Sequence, residues 1–300
     1  HNCLVGSEMC IRDRYILSLT LMFYIFQTYG SEILYILGSV DLIFLPLVLA
    51  VSIFQYFLSA WRWCFIASKT QSSINYSDAI RYYYIAGFMN NILPTGILGD
   101  VYRTLNIKVN NKNSSNFVKS LQSVIFERLS GQLALLVTFI FSLQLFFIVN
   151  QKYMASAYVL AVIILLFVLT KLLFFYQKKN QYFINFKYIF SGKRLYKHFL
   201  LSLIIVLTYI TTYIICAYSL NLKIDLISFF VFAPIVLFSM TLPVSIGGWG
   251  IRETTALVIS FLLGLSVTAS VTVAIVYGLC NLLCSLPGAY FFLKKDTVKP

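Results

Sequence analysis

Two stretches carry residue types that could hold an anion inside a membrane. Residues 242–253 read LPVSIGGWGIRE, and residues 93–103 read LPTGILGDVYR. Aligned without a gap they share Leu-Pro, Ile97 with Ile246, Gly99 with Gly248, and Arg103 with Arg252, five of eleven positions. Pro94 and Pro243 break a helix, because proline lacks the N–H and clashes with the preceding turn. Gly247, Gly248 and Gly250 permit unusual backbone angles and close approach of a ligand. A helix starting near Trp249 would present unpaired N–H groups and a positive dipole end, a ready anion site. Arg252 adds a forked cation suited to phosphate, and Arg103 stands in the same place in the first stretch. Asp100 and Glu253 either orient these arginines or exchange with them as charges come and go. Asn90 and Asn91, just before the first tip, either cap a helix or line the site. The plain alternative is two ordinary Pro/Gly turns between helices.

The elements that position these residues are apolar. The chain is 60% hydrophobic and 11% charged, whereas a soluble domain carries about 25% charged residues. Several apolar runs reach roughly the 20 residues that cross a bilayer as helix, and the alternation of a β-barrel is absent. This defines an all-α, polytopic membrane helix bundle. Expected spans are Tyr15 to Tyr29, Leu42 to Ala67, Phe117 to Val149, Tyr153 to Tyr176, Phe199 to Leu220 and Val267 to Leu293. Hairpins from Ala79 to Lys119 and from Ile224 to Leu265 join these about six full spans, giving eight or more membrane segments. The arms of the second hairpin are expected to be about 18 residues, roughly 27 Å, long.

Basic loops set the orientation. The Gln177–Lys197 loop, with Lys178, Lys179, Lys187, Lys193, Arg194 and Lys197, and the 294–300 tail are expected to be cytoplasmic. Parity then places both termini in the cytoplasm and makes the two hairpins enter from opposite faces of the cell membrane. Short segments interrupted by Gly and Pro at matching places in two opposed halves point to a transporter's binding site within an inverted repeat.

The net charge of +13 sits mostly between apolar runs, where it meets lipid headgroups rather than nucleic acid. Glu127 and Arg128 lie well inside a long apolar run, where charge is costly. They form either a local or snorkelling pair or part of the site's charge balance. Arg62, in AWRW, reads as an interfacial anchor rather than a ligand contact. Cys64, Cys216, Cys280 and Cys284 read as small apolar core residues, with no metal site or disulfide framework. Residues 1–14, HNCLVGSEMCIRDR, are set apart as a non-native leader that leaves the first span truncated. Residues 15–293 form one transmembrane domain.

Arg62-Trp63, the Asn91-x-Leu93-Pro94 to Gly99-Asp100-x-x-Arg103 tip, Glu127-Arg128 with Gly131, and Pro243-x-SIGGWG-x-Arg252-Glu253 occur here in one order. In this the chain resembles the lysylphosphatidylglycerol synthase transmembrane region family, also called flippase-like or UPF0104. The family commonly has two glycines before the Asp, where this chain has Leu98-Gly99. The resemblance covers about residues 20 to 293. It implies a membrane domain that handles lipids with phosphate or polyisoprenoid-phosphate headgroups. In two-part members this domain flips aminoacylated phosphatidylglycerol made by a separate cytosolic transferase domain, and no such sequence lies within these 300 residues.

The expectation is therefore a translocator of an anionic phospholipid or polyisoprenyl-phosphate-linked lipid, needing no cofactor, with a separate cytosolic transferase as a candidate partner. Arg103, Arg252, Gly247, Gly248, Trp249, Gly99 and Asn91 would meet the headgroup. Asp100, Glu127, Arg128 and Glu253 would balance charge, and Arg252→Ala would abolish translocation while leaving the fold intact. The alternatives are a membrane-embedded transferase, phosphatidylglycerol lysyltransferase-like or acting on a lipid-linked sugar, and a non-catalytic membrane partner. No D-x-D, His cluster or P-loop pattern supports the first alternative.

Overall fold

The computed structural model describes residues 2–70, 72–93, 96–109, 116–162, 164, 192–222, 225–242 and 245–294. It is an all-α helical bundle. The helices are α1 (Asn2–Leu37), α2 (Leu45–Lys69), α3 (Tyr76–Ile92), α4 (Leu98–Asn106), α5 (Asn116–Val149), α6 (Tyr153–Val162), α7 (Gly192–Tyr218), α8 (Leu226–Ser239), α9 (Ile251–Leu263), α10 (Val267–Ser285) and α11 (Pro287–Leu293). Four stretches among the described residues are long and apolar enough to cross a membrane: Leu42–Lys69, Phe117–Val149, Tyr196–Tyr218 and Val267–Leu293. Most of the expected span from Tyr153 to Tyr176, the basic loop up to residue 191 and the tail beyond residue 294 lie outside the described residues.

Two expected boundaries are corrected. The first span does not stop near Tyr29, because α1 continues to Leu37. A single glycine, Gly30, costs about 1 kcal/mol in a helix and does not end it. The arms of the second hairpin, α8 and α9, have 14 and 13 residues rather than about 18. Each rises about 20 Å, well short of the ~30 Å hydrocarbon core. Asp225 sets the start of α8 by accepting from the amides of Ile227 and Ser228. Gly264, at φ +70°, ends α9 in the left-handed conformation that glycine tolerates. The first hairpin is shorter on one side, with 17 residues in α3 and 9 in α4.

Polar contacts sort the connections into two ends of the bundle. At one end Ser72–Ser73 pairs antiparallel with Lys108–Val109, which ties the entry of the α3–α4 hairpin to its exit. Arg81 Nη2 donates to the Phe291 carbonyl at 3.2 Å, placing α11 at that same end. At the other end the Asp41 amide donates to the Ser219 carbonyl at 2.7 Å, joining the α1–α2 connection to the end of α7. The α3–α4 hairpin thus enters and leaves at one end of the bundle.

The largest apolar core lies where α1, α7, α8, α9 and α10 meet, around Tyr213, Phe232, Val236 and Tyr277. A smaller core packs Trp63 and Ala60 of α2 against Ala79 of α3 and Val124 of α5. Tyr56 stacks on Tyr84 with ring centroids 4.1 Å apart, joining α2 to α3. These side chains anchor the walls between which the charged residues sit.

Candidate functional site

Five charged residues from three helices converge. Arg62 on α2 donates to Glu127 Oε1 on α5, and its other terminal nitrogen donates to Ser202 Oγ on α7 at 3.3 Å. Arg103 on α4 donates to Glu127 Oε2 at 3.0 Å and to Asp100 Oδ1. Arg128 on α5 pairs with Asp100 Oδ2 and donates to the Gly96 carbonyl at 3.1 Å. Tyr83 donates its hydroxyl to Glu127 Oε1 at 3.0 Å. The Arg103 guanidinium also lies over the rings of Tyr83 and Trp63, 4.6 and 4.9 Å from their centroids. Three guanidinium cations thus face two carboxylates and leave one positive charge. Four of the five are buried, with Glu127 only 1% exposed. The side chain of Arg128, by contrast, is 34% exposed and stands at the rim.

The Arg62 anchor expected from AWRW is corrected here. Its guanidinium is buried because α5 and α7 cover that face of α2 and supply Glu127 and Ser202. Glu127 and Arg128 are not simply a pair with each other, as both reach into this network.

The network opens onto a cavity of about 270 Å³. Arg62, Asp100, Arg103, Glu127 and Arg128 line it, together with Asn91, Gly247 and Gly248 from the two tips. Gln55, Tyr209, Ser245, Tyr277 and Asn281 also line it. Of these only Ser245, within SIGGWG, stands in a sequence motif, since polar residues scattered at helical spacing in apolar runs carry no local signal. The tips touch directly. Gly247, at φ +55°, has no room for a Cβ, which would fall 2.9 Å from the Asn91 carbonyl carbon.

Asn90 and Asn91 both line the cavity, and Asn90 also caps. Asn90 Oδ1 accepts from the Gly99 amide at 2.9 Å and so caps the start of α4. Asn91 lines the cavity and accepts from Asn281 Nδ2 at 3.2 Å. Gly99 is away from the cavity lining, and a Cβ there would lie 2.6 Å from Ala86 Cα. Gly99→Val is therefore expected to push α4 off α3 and lower stability by about 1–3 kcal/mol. Thermal unfolding in detergent measures this, and an unchanged midpoint would show that the close approach is dispensable.

Arg252, Glu253 and Trp249 are not brought into the cavity lining. Arg252 donates to Glu253 Oε1 from Nε at 2.9 Å and from Nη2. Its guanidinium lies 4.6 Å from the Trp249 ring centroid, in space that exists because residue 278 is glycine. Glu253 Oε2 accepts from the Gly250 amide at 2.8 Å. The amides of Trp249 and Arg252 are bonded to the Ile246 and Gly248 carbonyls at 2.8 and 3.0 Å. The amides of Trp249, Gly250 and Arg252 are thus bonded inside the protein, and Glu253 orients Arg252, one of the two roles expected of it. Pro94 and Pro243 fall outside the described residues.

Membrane-length helices, two short hairpins meeting at their tips, and a buried charged cavity beneath them define a polytopic α-helical membrane protein. The family model described as lysylphosphatidylglycerol synthase TM region matches residues 13–288, so the chain belongs to that family, which ties it to lipid handling. No curated protein matches it. Among the described residues no cluster of three His, Cys, Asp or Glu side chains is placed to hold a metal ion.

Proposed function

We propose that this protein translocates a lipid with an anionic headgroup, an anionic phospholipid or a polyisoprenyl-phosphate-linked lipid, across the cell membrane. The observation that carries this reading is the uncompensated positive charge of the Arg62–Asp100–Arg103–Glu127–Arg128 network beside a cavity between membrane-length helices. A cation held inside hydrocarbon is expensive and favours an anion that neutralises it. The headgroup phosphate meets Arg128 first, because that guanidinium is at the rim and half of its bonding is to a single carboxylate oxygen. Arg62 and Arg103 hold Glu127 and Asp100 in place and set the field. Leu135, Val206 and Leu237 give the cavity an apolar side along which the lipid's glycerol and first methylenes can lie. The two hairpins entering from opposite faces, with both termini cytoplasmic, would offer access from each leaflet in turn.

The test is a headgroup-accessibility assay in proteoliposomes holding a fluorescent anionic lipid and quenched from one side. The protected pool is expected to disappear with wild-type protein. Arg128→Gln should unfold only modestly below the wild-type temperature, since the side chain is at the rim and Asp100 keeps Arg103, yet move lipid about tenfold or more slowly through loss of a charge-assisted contact. Wild-type rates in that variant would remove the network from the transport path.

A further inference from the structure

The outward side of α1 is built differently from that of α5. On α5 every exposed residue from Ile125 to Ile148 is Ile, Leu, Val or Phe. On α1, Thr20, Tyr24, Gln27, Thr28, Ser31 and Tyr35 are all exposed. Steps of three and four residues put them on one side of the helix. Ser18, Ile25 and Ile33, buried on the opposite side, seat α1 on the second tip and the main core, and Ser18 Oγ accepts from the Ile246 amide at 3.3 Å. Gln27 stands midway between Ser18 and Leu37, about 14–15 Å from either along the axis, far from both ends of the span. The Thr28 hydroxyl turns back to the Tyr24 carbonyl at 2.9 Å, but the Gln27 amide makes no side-chain hydrogen bond among the described residues. α1 has the length to cross a membrane, and these residues are what keep it from being one of the four apolar stretches. Polar groups turned toward hydrocarbon are costly, and at membrane depth they mark contact with another helix.

We infer that this side of α1 is the contact between two copies of the chain, paired through Gln27 about a twofold axis. The chemistry of the row favours a second copy over any other occupant. Its amide, hydroxyls and phenols are each both donor and acceptor, so the row is complementary to itself. Copies inserted in one membrane share one orientation, and a twofold axis along the membrane normal sets each residue opposite its own copy at the same depth. Gln27 then donates to the amide carbonyl of the partner's Gln27 and accepts from its NH2 in return. A different protein would need a polar group at that same depth, which a second copy supplies by construction. Glu32, also exposed, lies about 100° around the helix from Ser31, so the two carboxylates are turned away from the axis. Phe23 and Leu34, 68% and 63% exposed, flank the row and give the contact its packing. No residue of α1 lines the charged cavity, so the pairing leaves each cavity free and stands apart from the translocation reading.

The experiment introduces single cysteines into the full chain and oxidises membranes of the expressing cell with copper phenanthroline. Gln27→Cys and Ser31→Cys should give a covalent dimer. Leu19→Cys and Phe26→Cys, exposed on other sides of α1, should stay at the background of the unsubstituted chain. In liposomes the wild-type chain should become dimeric as the protein-to-lipid ratio rises. Gln27→Leu should raise the dissociation constant about tenfold, as loss of two hydrogen bonds between membrane helices would. The same variant should unfold no lower than wild type in detergent, because in the single chain the residue is exposed. A wild-type chain that stays monomeric at every ratio would overturn the pairing. So would a dimer that Gln27→Leu leaves intact and that cross-links equally well from Leu19→Cys or Phe26→Cys. Cross-linking of Gln27→Cys to a protein of another size, with no dimer, would give this side of α1 to a different partner and overturn the second copy as its occupant.

Discussion

Glu127→Gln is expected to be the most damaging single change in the charged network. Glu127 is almost completely buried and accepts from Arg62, Arg103 and Tyr83, which come from three different helices. Neutralising it leaves two guanidinium groups facing each other across an amide, and the network's excess charge rises from one to two. Breaking a buried ion pair by removing one partner costs about 3–5 kcal/mol, because the surviving charge has no water to turn to. The variant should therefore lose much of its monodisperse yield and unfold at a clearly lower temperature in detergent. A double variant, Glu127→Gln with Arg62→Met, restores the original excess of one and should recover part of the loss. If the single variant unfolds like wild type, the network does not hold α2, α4 and α5 together. If the double variant is no better than the single one, charge balance is not the reason.

What the sequence showed and hid follows from how local each signal is. The apolar runs, their polar breaks and the two tips are local, so the membrane bundle and its two hairpins could be read directly. The lengths of α8 and α9 could not. They are set by the Asp225 cap, the Glu253 bond to Gly250 and the left-handed Gly264, not by where hydrophobicity fades. Arg62 could not be placed from AWRW alone, which looks the same at an interface and in a buried wall. Glu127 and Ser202, 65 and 140 positions away, make it buried and paired. Glu127 and Arg128 are neighbours in sequence, but successive helical side chains point about 100° apart. One therefore lies in the core of the network while the other reaches its rim. Gly278 carries a signal of its own: a glycine inside a long apolar helix marks a place where something approaches closely. Here that something is the Arg252 guanidinium.

Arg252 is where sequence and structure make opposite forecasts, so its substitution has the greatest power to decide. Read beside GGWG, Arg252→Ala should abolish translocation and leave the fold intact. The geometry gives the reverse. The Arg252 side chain is buried, lies over Trp249 and binds Glu253, which itself is buried and holds the Gly250 amide at the start of α9. Removing the guanidinium leaves the Glu253 carboxylate with only the Gly250 amide as a hydrogen-bond donor among the described residues and opens a void against Gly278. The expected cost is again about 3–5 kcal/mol, seen as a lower unfolding temperature. Arg252→Met with Glu253→Gln removes both charges, keeps most of the volume and should cost much less. Translocation counted per folded molecule should then stay within a few-fold of wild type, because neither residue lines the cavity. An Arg252→Ala protein that unfolds at the wild-type temperature yet moves no lipid would reverse this assignment. It would mean that the second tip opens during transport and presents Arg252 to the headgroup, so that the Glu253 pair is its resting state rather than its role.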